Sequence, residues 1–187
     1  MSLKAKHASL TRVFENAKSI PFTNEDRLVF FSDVHRGDNS WADEFARNEL
    51  IYSHALQHYY DAGFTYIEVG DGDELMKFRH IDAIRVAHEK VYRQLQKFHQ
   101  DGRLHYIHGN HNIECDNPNS LATKINHLFT YQRDEAEILF NNFTVHEGLR
   151  LAHQESGVEF FVTHGHQGEF WSDQFAGLSS MLLYRLW

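Results

Sequence analysis

Four short stretches of the sequence concentrate side chains able to bind a divalent cation. They are Ser32-Asp33-Val34-His35-Arg36-Gly37-Asp38, Gly70-Asp71-Gly72-Asp73-Glu74, Gly109-Asn110-His111-Asn112 and Thr163-His164-Gly165-His166. In extended backbone, residues two apart point the same way, so Asp33 and His35 can meet one ion. Gly70 allows a sharp turn and makes Asp71 the first side group free of its strand, where a carboxylate can bridge two ions. Asp73 or Glu74 can act one step further out, accepting the other ring N–H of a metal-bound histidine. A carboxamide, Asn110, and an imidazole, His111, project together from the third stretch. His164 and His166 share a face if the backbone of the fourth stays extended. Each stretch alone is ordinary: Asp-x-His arises by chance, Gly-Asp is a common turn, and a histidine pair commonly lies in a solvated loop. Four such sets in one small domain make coincidence a poor explanation. The donors are oxygen and nitrogen with no thiolate, which favours Mn, Fe or Zn, the imidazoles arguing against a pure Mg or Ca site.

The elements that must position these donors can be read from hydrophobic periodicity. Arg27 to Ser32 (RLVFFS) is a continuous apolar run, the pattern of a strand buried on both faces of a parallel sheet. A helix is predicted from about Trp41 to Asp61, with Phe45, Leu50, Ala55, Leu56 and Tyr59 at roughly helical spacing and Gly63 as its stop. Phe64 to Val69 reads as a strand, Ile81 to Gln100 as a helix ended by Asp101-Gly102, and Leu104 to Ile107 as a third strand. This alternation predicts parallel strands joined by helical crossovers. Each donor stretch then follows a strand, and the carboxyl ends of strands in open α/β sheets are where ligands bind. Beyond Asn119 the pieces Ile138 to Phe140, Phe143 to His146, Leu149 to His153 and Val158 to Val162 read as an antiparallel meander on a second sheet. Phe170 to Trp187 has the spacing of an amphipathic helix, whose apolar stripe either lies buried or lines a pocket for an apolar substrate part.

With 187 residues, 42% hydrophobic, the protein is sized for one domain spanning 1–187. A formal charge of -8, from 18 basic and 26 acidic residues, provides no electrostatic footprint for a nucleic-acid backbone. A phosphate-bearing substrate stays open because bound cations can supply positive charge locally. Cys115 is the one cysteine, so no intrachain disulfide forms. Neither a signal-like leader nor a membrane-length apolar run is present, and a cytoplasmic location is expected.

The order Asp33-x-His35, Gly70-Asp71, Gly109-Asn110-His111 and His164-Gly165 resembles the calcineurin-like metallophosphoesterase superfamily, whose motifs run D-x-H, G-D-x-x-D, G-N-H-D/E, H and finally G-H-x-H. The likeness spans about Arg27 to His166. It implies an α/β sandwich of four layers, with a parallel or mixed sheet, a second mostly antiparallel sheet, and helices outside. It also implies that Asp33 and His35 hold a first ion, that Asp71 bridges both, and that Asn110 and His164 hold the second. His111 would protonate the leaving oxygen, Arg36 and Asn110 would hydrogen-bond the phosphoryl oxygens, and His166 and Glu74 would be ligands or outer-sphere partners. Two ions about 3.5 to 4 Å apart would lower the pKa of a shared water for in-line attack on phosphorus. Three departures stand out: Glu74 replaces an Asp, Asn112 replaces the acid after His111, and no G-H-x-H occurs. Thr163 to His166 could be a degenerate last motif with His146 or His153 as the earlier ligand. The preferred assignment makes His164 the penultimate ligand, with the last motif beyond Trp187 and the domain incomplete at its C-terminus. Resemblance to bacterial enzymes related to UDP-diacylglucosamine hydrolases implies a phosphorylated small-molecule or lipid-linked substrate. The competing expectation is a catalytically inactive scaffold of the same fold. Oligomeric state and the choice between monoester, diester and pyrophosphate are left open by these motifs.

Overall fold

The computed structural model describes residues 3–112, 126–130 and 135–166. It is an α/β arrangement in which two sheets pack face to face and helices cover the outer surfaces. The first sheet holds β2 (Leu28–Phe31), β3 (Thr65–Val69), β4 (Leu104–Ile107) and β7 (Val145–His146) in that order, all parallel. The second has the order β1 (Lys18–Phe22), β8 (Gly148–His153) and β9 (Glu159–Thr163), with β1 parallel and β9 antiparallel to β8. A separate antiparallel hairpin pairs β5 (His127–Thr130) with β6 (Glu135–Ile138).

Strand alternation explains the layers, because successive side chains leave opposite faces of a sheet. Ile67 of β3 and Ile107 of β4 meet Leu149 and Leu151 of β8 in the core between the sheets. Tyr66, Leu104 and Tyr106 point the other way, onto α2 (Glu49–Asp61), α3 (Ile81–Ala87) and α4 (Glu89–Gln100), which contribute Leu56, Ile84, Val91, Leu95 and Phe98. Outside the second sheet lies α1 (Leu3–Asn16), with Phe14 edge-on to Phe161 and beneath the Arg150 guanidinium.

Several expectations need correction. β2 is an edge strand with Phe30 47% exposed, so it is not covered on both faces. The helix expected from Trp41 begins at Glu49, because the Asp43 carboxylate accepts the N–H groups of Phe45 (3.0 Å) and Ala46 (3.2 Å) and holds the preceding residues in a separate 3-10 turn, Phe45–Arg47. Leu50, placed on the apolar stripe, is 85% exposed, while Tyr52 is buried. The helix expected over 81–100 breaks at His88, whose buried ring is held by Asp43 (2.7 Å) and Glu49 (3.0 Å). The expected meander is divided between sheets: β7 joins the first sheet, and the parallel strand β1 enters the second. The segment Phe170 to Trp187 lies outside the described residues.

Candidate metal centre

The loops following β2, β3 and β4 are stitched to one another by backbone hydrogen bonds. The N–H groups of Asp33, His35 and Arg36 donate to the carbonyls of Gly70 (3.2 Å), Asp71 (2.9 Å) and Gly72 (2.9 Å). Gly70 donates to Ile107 (3.0 Å), Glu74 to the Arg36 carbonyl (3.0 Å) and Leu75 to the His111 carbonyl (3.0 Å). This interlock imposes left-handed backbone on three donors, with φ of 54° at Asp33, 52° at His35 and 51° at Asp71. Asp and His tolerate that region better than most residues, yet each such residue costs about 1 kcal/mol or more and tends to occur at functional sites. The extended geometry assumed for Asp33-x-His35 is therefore incorrect. The two side groups approach, His35 Nε2 to Asp33 Oδ1 at 3.8 Å, through a left-handed loop.

Two sets of donor atoms, each gathered within 4.8 Å, result: His35, Asp71 and His111, and Asp33, Asp71 and His164. Asp71 belongs to both. One Asp71 oxygen accepts the His111 backbone N–H at 2.8 Å, while the other lies 3.1 Å from His164 Nε2. Glycines admit this packing. A Cβ on Gly109 would sit 2.7 Å from Asp71 Cγ, and one on Gly70 would collide with the His164 ring.

All three imidazoles are oriented through Nδ1. Glu74, 3% exposed, accepts from His35 at 3.0 Å and from His111 at 2.8 Å, and the Val69 carbonyl accepts from His164 at 2.9 Å. Fixing Nδ1 as the donor leaves Nε2 for the space near the aspartates, the arrangement in which histidines commonly bind metal. Burial pushes the Glu74 carboxyl up, but the hydrogen bonds from His111 and His35 override it and hold the group at about 2. Burial likewise opposes ionisation of Asp71, and the His164 and His111 contacts win, keeping it below its ordinary range. The Glu74 contact raises His35, and the Asp71 contact raises His164.

No family model, curated protein or solved structure matches this protein. The site therefore stands on its own geometry.

The remaining expected residues fall into three groups. Glu74 is an outer-sphere anchor of two histidines. Asn110 is half-buried beside Gly109 at the end of β4, and His166 is 6% exposed with its ring 5.6 Å from those of His108 and His164. Burial and the neighbouring His108 push His166 down to about 4. Arg36 does not face the site, contrary to expectation. It is fully buried, pairing with Glu68 (2.5 Å) and Asp73 (2.8 Å), because the backbone bridge to Asp73 turns its guanidinium under the sheet. Asn112, standing where an acid was expected, is also buried: its carbonyl accepts the Gly109 N–H at 2.6 Å and its amide donates to Tyr106. Glu74 takes over the carboxylate contact to His111. Sequence reading missed Lys77, which lines a depression with His35, Glu74 and His111. Its signal was its position three residues after Glu74, whose carboxylate accepts the Lys77 backbone N–H at 3.2 Å.

Proposed function

We propose that the protein is a phosphoester hydrolase working with two divalent cations on a metallophosphoesterase-type sandwich. One observation carries this reading: a buried carboxylate, Asp71, is common to two donor sets drawn from four strand ends, those of β2, β3, β4 and β9. Two sheets packed face to face, with Asp33, His35, Asp71 and His111 at the carboxyl ends of parallel strands and His164 just beyond the antiparallel β9, support it further. Carboxylate and imidazole donors without thiolate suit Mn, Fe or Zn better than Mg.

In this reading Asp33, expected on the same ion as His35, instead joins Asp71, His164 and the Asn110 carboxamide at one ion, because its carboxylate is gathered with the His164 set, and His35 and Asp71 hold the other. Bound there, the ions would supply a nucleophilic water at neutral pH and neutralise developing phosphoryl charge. His111 has its Nδ1–H on Glu74 and opens to the adjacent depression. Its Nε2 would deliver a proton to the leaving oxygen, and the Glu74 carboxylate stabilises the imidazolium that this requires. Arg36 and Asp73 act from below by holding the His35 and Glu74 loops together.

Metal analysis and hydrolysis of p-nitrophenyl phosphate and its bis-ester test this reading. Asp71→Ala is expected to lose metal and abolish turnover. His111→Ala is expected to retain metal and turn over slowly, most slowly with poor leaving groups. A wild-type protein that takes up no metal and hydrolyses neither ester would leave the inactive scaffold as the better reading. Metal loss in His111→Ala would make His111 a ligand in the set it shares with His35 and Asp71.

A further inference from the structure

The depression beside His35 and His111, about 230 Å³, shares Ala42, Glu44 and Lys77 with a larger one of about 510 Å³ that adds Trp41, Asp43, Arg47 and Asn48, the Asp43 carboxylate being turned onto the His88 ring. The two form a continuous trough leading away from the metal centre. Lys77 stands at the junction, and neither it nor Arg47 forms an ion pair among the described residues. Trp41, which lines the larger depression and not the one beside His35 and His111, is 86% exposed.

The loop presenting Trp41 is tightly built. Asp38 accepts the Ser40 N–H at 3.0 Å, and Asp43 accepts the Asn39 N–H at 2.8 Å. Asp43 is itself anchored on the buried His88 ring at 2.7 Å. An indole held in water by an ordered loop, next to a guanidinium and an ammonium, suits a ligand with a flat ring at one end and phosphates at the other. Stacking on the indole face would then cover apolar surface that the protein leaves open.

We infer that the trough is a nucleotide subsite and that the substrate class is a nucleoside di- or polyphosphate cleaved at its terminal phosphate. This rests on the hydrolytic reading above. The terminal phosphate lies at the metal centre, the next phosphate on Lys77, and the base on Trp41 with Arg47 at its edge. Glu44 is placed to accept hydroxyl or amino protons of the nucleoside. For ADP, the oxygen of water bonds to the terminal phosphorus and the bridging P–O bond breaks. The departing AMP oxygen takes its proton from His111, giving AMP and orthophosphate.

The test combines kinetics with binding. With the metal-loaded protein, Lys77→Ala is expected to raise KM for ADP about tenfold relative to that for p-nitrophenyl phosphate, the loss of one charge-assisted hydrogen bond. Trp41→Ala is expected to raise KM for ADP by a similar factor relative to that for inorganic pyrophosphate, which has no ring to stack. ADP should also quench tryptophan fluorescence in the wild type and not in Trp41→Phe, a readout independent of turnover. Hydrolysis of p-nitrophenyl phosphate without quenching or competition by ADP would overturn the subsite and leave the catalytic reading standing. Quenching without hydrolysis of any ester would do the reverse. Trp41-dependent binding to anionic phospholipid vesicles, with no response to ADP, would assign the exposed indole to a membrane surface and also overturn the proposal.

Discussion

Glu74→Gln offers the sharpest test of how the centre is held together. The glutamate accepts the Nδ1–H groups of His35 and His111 with both oxygens, at 2.8 to 3.0 Å, while nearly buried. The glutamine keeps the shape but loses the charge, and one of its two terminal atoms becomes a donor. Removing an outer-sphere partner of a ligating histidine typically weakens metal binding about 10- to 100-fold. Only His35 of the pair is assigned as a ligand here, so one of two Mn sites should weaken by about that factor while the second is nearly unchanged. Titration calorimetry would resolve the two events. A second consequence concerns pH and the metal-free protein. The Glu74 carboxyl ordinarily titrates at 4.5 and is held at about 2, which corresponds to stabilisation on the order of 3 kcal/mol. Because the folded-state value is depressed, that contribution is fully present above pH 4.5 and disappears as pH falls toward 2. Wild-type melting temperature should drop across that window more steeply than that of Glu74→Gln. Two unchanged Mn affinities, together with superimposable pH–stability curves, would refute the role given to Glu74.

Three further outcomes are expected. Gly109→Ala puts a methyl group 2.7 Å from Asp71 Cγ and 2.8 Å from its backbone nitrogen, so metal content should fall in a protein that still folds; atomic absorption and circular dichroism check this. Arg36→Met strips the buried Glu68 and Asp73 of the guanidinium that pairs with both and should destabilise the fold by about 3–5 kcal/mol in urea unfolding. A change in activity at unaltered stability would return Arg36 to the substrate. His105 is held down to about 4, chiefly by burial and then by Lys18 and His146. Its neutral form is favoured in the fold, so the associated stability is present above pH 6.5 and lost as pH falls toward 4. His105→Leu should flatten the melting curve in that interval.

Much of the first sheet was legible in the sequence. β4 matches its expected span of Leu104 to Ile107, and β3 lies within the run Phe64 to Val69, because apolar runs ended by Gly-Asp or Gly-Asn carry both strand and stop. The candidate donors Asp33, His35, Asp71, His111 and His164 could be named because each lies just beyond a strand-like apolar run, with or without a glycine stop. β1 and α1 carried no comparable signal. β1 is only five residues long, has no buried position, contains Pro21, and gains its place from pairing with β8, far along the sequence. The helix break at His88 was equally hidden, since its cause is a pair of carboxylates, Asp43 and Glu49, on a distant loop and helix start.

The sequence by itself determined which chemistry was possible here, oxygen and imidazole donors at the ends of short apolar strands, because residue type and local periodicity are properties of neighbouring positions. Tertiary structure alone decided that Glu74 rather than Asp73 orients His35 and His111, that Asp33 gathers with His164, and that Arg36 turns inward. Those outcomes depend on hydrogen bonds between loops that are remote in sequence, which force Asp33, His35 and Asp71 into left-handed backbone that their local sequence would not adopt unaided.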